Sequence, residues 1–323
     1  MKTIFVVNPN AGQGKKFGKI IDDINGICQK AKSDVGVYVT KAPNDAKLFV
    51  NEYCKTNGPA RFIACGGDGT FSEVLNGALE FNNVEIGIVP IGTGNDFCRN
   101  FSSDASFFDL EKQISGECVK CDAIRYTTKM DNGIKSGYCA NMFNIGFDCD
   151  VADMTNSIKE STFLGGPLAY LVSIFVNLFN KKVANLEIEI DGSVAHKGEL
   201  LLTSIANGCY CGGGLKTNPI AQVSDGFINI NMVKNISLPR LLKLLPRYIN
   251  GSYLKIKNIK EIVSSQKCKR VKITSSEKKM KFSVDGEITE TGVTEFEIIP
   301  AAFSFVVPAY SKNINPMECI AGL

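Results

Sequence analysis

Glycine-rich turns that directly follow short apolar runs are the feature that most constrains the first hundred residues of this chain. The apolar runs are predicted strands: Thr3–Asn8, Val35–Thr40, Arg61–Cys65 and Glu85–Ile91. Between them lie segments of helical spacing: Phe17–Lys30, Ala46–Lys55 and Phe71–Leu79. This alternation with short connections is typical of a parallel sheet wound by helices, whose ligands bind at the carboxyl ends of the strands. The sequence therefore predicts an α/β domain with its glycine turns at one sheet edge.

From about Asp122 onward the pattern changes to short β-rich segments separated by turn residues. The predicted strands are Gly137–Asn144, Ala184–Ile190, Gly198–Ala206, Gly226–Val233, Ser252–Ile256, Arg270–Thr274, Lys281–Val284 and Thr294–Ile299. Asp-Gly pairs punctuate them, which favours an antiparallel β-sandwich or open barrel. Two helical insertions are predicted, Leu164–Phe179 and Leu238–Ile249. We expect an α/β domain over 1–123 and a β-rich domain over 124–307, with 308–323 packing back on the first.

Composition excludes several classes of protein. The chain has 323 residues, of which 44% are hydrophobic and 21% charged, so it is neither disordered nor collagen-like. A net charge of +3 is too small for a dedicated nucleic-acid-binding protein. The chain holds a single histidine, His196. Any mechanism with a histidine base must therefore use His196. Its position beside Lys197, between two predicted strands, predicts a turn residue and not a catalytic base.

The twelve cysteines raise the question of a disulfide framework. The apolar run of Met1–Pro9 is too short for a signal peptide, so we expect a cytoplasmic protein with reduced thiols. A zinc site built from Cys118, Cys121, Cys209 and Cys211 is an alternative, although ribbon-type sites repeat the C-x-x-C spacing. The longest apolar stretch, 167–179, falls short of the ~20 residues that span a bilayer. We expect a chain that touches a membrane without crossing it.

The first glycine motif is Gly66-Gly67-Asp68-Gly69-Thr70. Glycines at a strand end let the backbone approach a ligand, and the N–H groups of a following helix form a phosphate cradle. We expect Thr70 to cap that helix. The alternative is a tight turn with no ligand.

A second motif, Pro90-Ile91-Gly92-Thr93-Gly94-Asn95-Asp96-Phe97, forms another glycine-rich turn after the next predicted strand. Asp68 and Asp96 then bring two carboxylates to an anion site, which implies a magnesium ion between them. The turn Asn8–Gly12 lies on the same edge. The Gly14-Lys15-Lys16 sequence lacks the spacing and the Ser/Thr of a Walker A loop.

The order and separation of four motifs resemble the diacylglycerol kinase catalytic-domain family, in its bacterial soluble form. The motifs are Asn8–Gly12, Gly66–Thr70, Pro90–Phe97 and Val284-Asp285-Gly286-Glu287. The resemblance covers essentially the whole chain. It implies an N-terminal domain similar to those of phosphofructokinases and NAD kinases, a β-rich C-terminal domain that receives a lipid, and ATP and Mg²⁺ as cofactors.

The resemblance also assigns residues. Those implied to bind the nucleotide are Asn8, Pro9, Asn10, Ala11, Gly12, Thr40, Gly66, Gly67, Asp68, Gly69, Thr70, Phe71, Ser72, Gly92, Thr93 and Asn95. Asp68, Asp96 and Asp122 match an acidic network that organises catalytic magnesium through water. A separate structural metal maps to Asp225, the carbonyl of Phe227 and Gln222, whose uncharged amide is a departure from the family pattern.

The same resemblance makes Asp285 the general base and Glu287 its essential neighbour. A lipid hydroxyl has a pKa far above the ~3.9 of an unperturbed aspartate, so Asp285 can accept the proton only as the oxygen bonds to phosphorus. Without the other motifs, Asp285-Gly286 is more typical of a β-hairpin turn than of a catalytic site; together with them, the pair favours catalysis.

The two helical insertions carry apolar surface flanked by basic residues: Lys181, Lys182, Lys243, Arg247, Lys255 and Lys257. One interpretation is a face that rests on anionic lipids; the other is that both helices simply cover the sheet. The charged run Lys267–Lys281 is predicted to be a solvated hairpin face.

The expected reaction transfers the γ-phosphoryl group of ATP to a membrane lipid hydroxyl, by default that of diacylglycerol, to give phosphatidic acid. Alternative acceptors are a sphingoid base, another lipid alcohol or NAD. A catalytically silent lipid- or nucleotide-binding regulator is the remaining alternative. Peripheral contact with an anionic membrane is expected and a nucleic-acid partner is not. Exposed sandwich edges favour a homodimer.

Overall fold

A computed structural model of the chain describes residues 1–31, 34–101, 106–130, 133–146, 183–275, 280–284 and 287–308. Its described residues divide into two compact units, one formed by Met1–Cys121 together with residues 301–308 and the other by Asp122–Pro300. The predicted helix Leu164–Phe179 and residues 309–323 lie outside the described residues. The carbonyl of Pro308 accepts a hydrogen bond from the Ser106 N–H at 2.9 Å within the first unit.

The first unit contains a parallel sheet with the strand order β4-β3-β1-β2. The strands are β1 (Thr3–Val7), β2 (Val35–Val39), β3 (Arg61–Gly66) and β4 (Glu85–Pro90). Ser304 and Phe305, near the end of the last strand that the structure describes, pair in parallel with Glu85 and Ile86. The predicted wound parallel sheet is confirmed.

Helices connect these strands as the apolar spacing predicts. They are α1 (Phe17–Ala31), α2 (Asp45–Asn57), α3 (Asp68–Ala78) and α4 (Leu110–Ser115), with 3₁₀ turns at Ala11–Gly14 and Phe97–Asn100. Ile20 and Ile24 of α1 are buried against Phe5 and Val7 of β1 in the same apolar core. Gly77 lets α3 approach α2 closely, since a Cβ there would lie 2.6 Å from the Lys47 carbonyl oxygen.

The second unit is antiparallel in every strand pair whose register is described. Its strands are β6 (Gly133–Cys139), β7 (Met142–Gly146), β8 (Ala184–Ile190), β9 (Ser193–Ala206), β10 (Ile228–Lys234), β11 (Val263–Cys268), β12 (Arg270–Ser275), β13 (Met280–Val284) and β14 (Glu287–Thr291). The two unit boundaries fall inside β5 (Glu117–Met130) and β15 (Val293–Val307). Alternating side chains such as Ile188, Ile273 and Phe296 form the apolar core.

The helix α5 (Leu238–Ile249) confirms the second predicted insertion. Its residues Leu241, Leu244 and Tyr248 recur at helical spacing and are buried beside the 3₁₀ turns Ser252–Lys255 and Ile259–Glu261. Among the described residues, no helix is both long enough and apolar enough to cross a membrane.

Several local predictions are wrong. The segment predicted as one strand over Gly137–Asn144 is two, β6 and β7, separated at Ala140-Asn141. Ser252–Lys255 is a 3₁₀ turn, because the Asn250 side chain accepts hydrogen bonds from the backbone and hydroxyl of Ser252. His196 lies within β9 opposite Ile188 and is not a turn residue. Lys267–Lys281 is not one hairpin, since β11 pairs with β10 whereas β12 pairs with β8 and β15.

A charge cluster on the second unit supports a stability prediction. Arg270 donates to Glu297 from Nη2 at 2.7 Å and Nε at 3.1 Å, and Arg125 donates to the other carboxylate oxygen. The hydrogen bond from Arg270 is the main cause that lowers the pKa of Glu297. The ionised Glu297 carboxylate therefore stabilises the fold at neutral pH, and this stabilisation is lost as the pH falls through the lowered pKa. We expect Glu297→Gln to reduce the free energy of unfolding at pH 7 by about 1 kcal/mol or less, because both arginines are substantially exposed.

Denaturant unfolding at a series of pH values measures this effect. The difference from wild type should shrink as the pH approaches about 4. Glu187→Gln is the matched control, since Glu187 pairs only with the exposed Lys197 among its described ion pairs. An equal loss of unfolding free energy in both variants, or a loss independent of pH, would argue against stabilisation by the Glu297 cluster.

Candidate active site

The carboxyl ends of the parallel strands meet at one edge of the first unit. The Thr40 N–H donates to the Val7 carbonyl at 2.9 Å, and the Asn8 N–H donates to the Cys65 carbonyl at 3.0 Å. The Gly92 N–H donates to the Gly66 carbonyl at 3.1 Å. These bonds continue the sheet ladder for one step beyond the strands. They bring the Asn8–Gly12 turn, Thr40 and both glycine motifs to the predicted edge.

The three turns contact one another through backbone atoms. A Cβ on Gly92 would lie 2.3 Å from the Gly67 Cα, and a Cβ on Gly12 would lie 2.4 Å from the Ile91 carbonyl oxygen. Gly12 also has a φ of +59°, which disfavours any side chain. Only glycine therefore permits this packing, which leaves the backbone N–H groups of the turns close to any ligand at the edge.

Two polar side chains fasten the first turn to α3. Asn8 Nδ2 donates to Thr70 Oγ1 at 3.1 Å, and Asn8 Oδ1 accepts from the Asn10 N–H at 2.9 Å. The expectation that Thr70 caps α3 is wrong, because the helix begins at Asp68 with Gly67 at the N-cap position. Thr70 lies inside the first turn, and its hydroxyl binds the neighbouring loop instead.

Asp68 holds the second glycine motif in place. Its Oδ2 accepts from the Asn95 N–H at 2.7 Å, and its Oδ1 accepts from the Asp96 N–H at 2.8 Å and the Phe97 N–H at 3.4 Å. Burial raises the pKa of Asp68, while the three N–H donors act in the opposite direction. A carboxylate has about four lone-pair sites, so a metal-bound water can still bind Asp68.

The surroundings of Asp96 fit a cation. A Cβ on Gly94 would lie 2.6 Å from Asp68 Oδ2 and 3.5 Å from Asp96 Oδ2, so both carboxylates border the same small space. Arg99 Nε lies 3.8 Å from Asp96 Oδ1, on an exposed side chain. Two carboxylates this close are unfavourable unless a positive charge or a proton compensates them. Asn95 adds a buried Oδ1 that has no hydrogen-bond partner among the described residues, and this oxygen is a suitable acceptor for a bound cation or water.

Not every residue implied by the resemblance is placed to touch a nucleotide. Phe71 is 2% exposed and stacks on Phe97 with ring centroids 4.8 Å apart. Its N–H donates to the Gly67 carbonyl at 3.1 Å. Phe71 therefore packs behind the loop, whereas Thr93 at the loop surface is exposed. Pro9, Ala11, Gly69 and Ser72 lie in the turns and first helical turn of the same edge.

Asp122 belongs to the second unit and is 2% exposed. Its N–H donates to the Val223 carbonyl at 2.7 Å, and its Oδ2 accepts from the Gly226 N–H at 2.7 Å. Asn207, which the sequence did not single out, donates from Nδ2 to the Asp122 carbonyl at 2.9 Å. Asp122 is thus fixed by the Asp225-Gly226 turn within its own unit.

The structural metal implied at Gln222, Asp225 and Phe227 does not fit this chain. Asp225 Oδ2 is 2.7 Å from the Lys267 ammonium, and Asp225 Oδ1 accepts from the Phe227 N–H at 3.0 Å. A positive charge therefore already pairs with the Asp225 carboxylate, and Lys267 would repel a divalent cation at this position. Gln222 adds only a neutral amide.

The described residues that flank the predicted general base close one end of the β13–β14 ladder. Val284 and Glu287 are opposite each other as the closing pair of these antiparallel strands. Asp285 and Gly286 lie between them, outside the described residues, and only the backbone of Glu287 is described.

The zinc alternative finds no support in the described part of the chain. No group of three or more His, Cys, Asp or Glu side chains there could hold a metal ion. Cys118 is packed at the edge of the first unit's core, and burial raises its pKa to about 12. Cys209 Sγ donates to the Ala221 carbonyl at 3.1 Å. Cys209 is therefore a buried core residue, and Cys118 is partly buried against the core of the first unit.

Comparison with known proteins identifies the family. Residues 2–126 match the diacylglycerol kinase catalytic domain, and residues 141–307 match the YegS C-terminal NAD kinase beta sandwich-like domain. A diacylglycerol kinase from Staphylococcus haemolyticus is 31% identical over 284 residues, which cover 87% of this chain and 81% of that protein. The chain belongs to the diacylglycerol kinase catalytic-domain family. It is accordingly a lipid kinase.

A second curated relative agrees with this assignment, and two solved structures share the fold. A diacylglycerol kinase from Staphylococcus carnosus is 29% identical over 284 residues, which cover 87% of each protein. A putative diacylglycerol kinase from Bacillus anthracis has a similar fold, with a TM-score of 0.72 at 22% identity over 95% of this chain and 96% of that one. Yeast NADH kinase shares the fold more distantly, with a TM-score of 0.52 at 12% identity over 97% of this chain and 84% of that one.

Proposed function

We propose that this diacylglycerol kinase family member transfers the γ-phosphoryl group of ATP to the hydroxyl of diacylglycerol, giving phosphatidic acid, in a magnesium-dependent reaction. The observation that carries the proposal is the set of three glycine turns packed backbone to backbone at one sheet edge, with Asp68 and Asp96 beside them. The staphylococcal relatives are named for the same substrate.

The residues of the first unit would bind and orient the nucleotide. The glycine turns and the start of α3 present backbone N–H groups, which suit phosphate oxygens because the helix N-terminus carries a partial positive charge. Asn8 and Asp68 hold the turns together through the hydrogen bonds described above. Phosphoryl transfer depends mainly on such positioning and on charge stabilisation.

Asp68, Asp96 and Asp122 are the residues proposed to hold magnesium through water. When bound, the ion supplies charge compensation for the phosphate oxygens as negative charge spreads over them. The proposed general base is Asp285, with Glu287 as its neighbour. Its carboxylate would accept the lipid hydroxyl proton as the new oxygen–phosphorus bond forms and the bond to the β-phosphate oxygen breaks, with ADP as the leaving group.

The test is transfer of label from γ-labelled ATP to a panel of lipids in mixed micelles, with and without magnesium. We expect labelled phosphatidic acid that depends on magnesium. Label on a sphingoid base or another lipid alcohol would keep the kinase assignment and overturn the proposed acceptor. Failure to label any lipid, with ATP still bound, would favour a catalytically silent regulator.

A basic surface around α5 supports the proposed contact with an anionic membrane. Residues 227–260 contain no acidic residue and seven basic ones: Lys234, Arg240, Lys243, Arg247, Lys255, Lys257 and Lys260. All seven are exposed, and Leu242 of α5 is 47% exposed among them. Basic side chains around an exposed apolar residue suit the interface of an anionic bilayer. Such a surface would allow a cytoplasmic protein to associate transiently with a membrane. The homodimer expected from the sequence stays a prediction.

Replacing Arg240, Lys243 and Arg247 together by glutamine should weaken binding to vesicles that contain phosphatidylserine. Each charge near such a surface is worth about 1 kcal/mol, so three give a loss on the order of 100-fold. Co-sedimentation with vesicles measures it, and binding to purely zwitterionic vesicles should change little. The matched control replaces the exposed Lys19, Lys47 and Lys55 of the first unit. Equal losses in both triple variants would argue against a localised surface.

A further inference from the structure

The turn that precedes β10 is fastened by a lysine where the family resemblance implies a metal. We infer that the Lys267 ammonium takes the place of the structural cation at Gln222, Asp225 and Phe227, so that this turn forms without a divalent ion. The inference concerns the nucleotide-free protein and does not depend on which lipid is the acceptor.

The contacts of Asp225 are the first support. Lys267 Nζ lies 2.7 Å from Asp225 Oδ2, which is the distance of a strong charge-assisted hydrogen bond. The Phe227 N–H occupies Asp225 Oδ1 at 3.0 Å. The Asp225 side chain is 14% exposed and that of Lys267 is 41% exposed, so the lysine reaches a largely shielded carboxylate from the surface.

The backbone fixes the position of the lysine. β10 and β11 pair in antiparallel register, with Asn229 opposite Lys267 and Ile228 opposite Cys268. This register places Lys267 beside the start of β10, directly after the Asp225-Gly226 turn. The contact therefore follows from sheet pairing and is not a chance position of a surface side chain.

The charge balance favours lysine over a metal. The implied ligand set supplies one carboxylate, one carbonyl and the neutral amide of Gln222, so its total charge is −1. One ammonium neutralises that charge. A divalent cation would leave an excess of positive charge beside Lys267.

The ion pair is connected to a residue of the proposed acidic network. Gly226 follows Asp225 with a φ of +74° and donates its N–H to Asp122 Oδ2 at 2.7 Å. The Asp122 N–H in turn donates to the Val223 carbonyl at 2.7 Å. Lys267 is thus a positioning residue: it holds the turn that orients Asp122.

Thermal unfolding of the nucleotide-free full-length protein tests the inference, after removal of metals with EDTA and then with added Mg²⁺. We expect magnesium to change the Tm of wild type and of Asp225→Asn equally, since any other magnesium site is intact in both. Lys267→Met should lower the Tm by about 2 °C, and Lys267→Arg should restore most of it. Lys135→Met removes an exposed lysine of β6 and is the control for loss of charge.

Two results would overturn the inference. One is a magnesium-dependent rise in the Tm of wild type that Asp225→Asn abolishes, because it would place a metal at this turn. The other is a Tm for Lys267→Met no lower than that of Lys135→Met, since the ion pair would then not stabilise the turn. Neither result depends on phosphoryl transfer, so failure here is distinguishable from failure of the proposed reaction.

Discussion

Asp285→Asn should lower kcat for phosphoryl transfer to the lipid by about 100- to 10,000-fold while leaving the affinity for ATP unchanged. The asparagine amide has nearly the same size but cannot accept the proton of the lipid hydroxyl. General-base catalysis contributes about 100- to 10,000-fold in enzymes that use it, which sets the expected range. Initial rates with labelled ATP and diacylglycerol micelles give kcat, and equilibrium binding of an ATP analogue gives the affinity.

The chain offers a matched control for this substitution. Asp191-Gly192 is another Asp-Gly pair between antiparallel strands, joining Ile190 of β8 to Ser193 of β9. Asp191 Oδ1 accepts from the Lys269 and Arg270 N–H groups at 3.0 and 2.8 Å, which an asparagine carbonyl can replace. Asp191→Asn should therefore change kcat by less than about twofold. If Asp285→Asn retained wild-type turnover, the sequence pair would be only a hairpin turn and another group would act as base.

The fold of the first unit could be predicted because its pattern is local. Each strand and helix there shows its own apolar spacing, and glycine marks where the strands end. The second unit was harder to predict because its pairing is not local. The separation of β11 from β12, and the position of His196 inside β9, depend on long-range strand partners. The β-propensity of a short segment does not specify which strand it pairs with or in which register.

The candidate site shows the same division. The glycine motifs and Asp68 stand out in the sequence because the residues that form them are consecutive in the chain. The actual task of Asp68, accepting N–H groups from Asn95 and Asp96, requires β3 and β4 to be neighbours. The Lys267–Asp225 pair joins residues 42 positions apart, and in sequence Lys267 is one lysine in a basic run. Such contacts follow only once the register of the sheet is known.

Gly92→Ala should lower kcat/KM for ATP by at least about 100-fold, because the added methyl group separates the two glycine motifs. Its Cβ would lie 2.3 Å from the Gly67 Cα and 2.8 Å from the Gly67 nitrogen, both backbone atoms that no side-chain rotation can move. A displacement of about 1 Å in a site that works by positioning is enough for such a loss. Steady-state kinetics with varied ATP at saturating diacylglycerol measure the effect.

Overpacking of this kind also destabilises a fold, typically by about 1–3 kcal/mol, so the unfolding free energy must be measured beside the kinetics. Assays well below the Tm of the variant then separate loss of the site from loss of folded protein. Gly26→Ala is the control, since a Cβ at Gly26 in α1 meets nothing within 4 Å. It should leave kcat/KM within about twofold and raise helix stability by up to about 1 kcal/mol. A folded Gly92→Ala protein with normal ATP kinetics would contradict the proposal, because the close contact of the glycine motifs would then have no part in nucleotide binding.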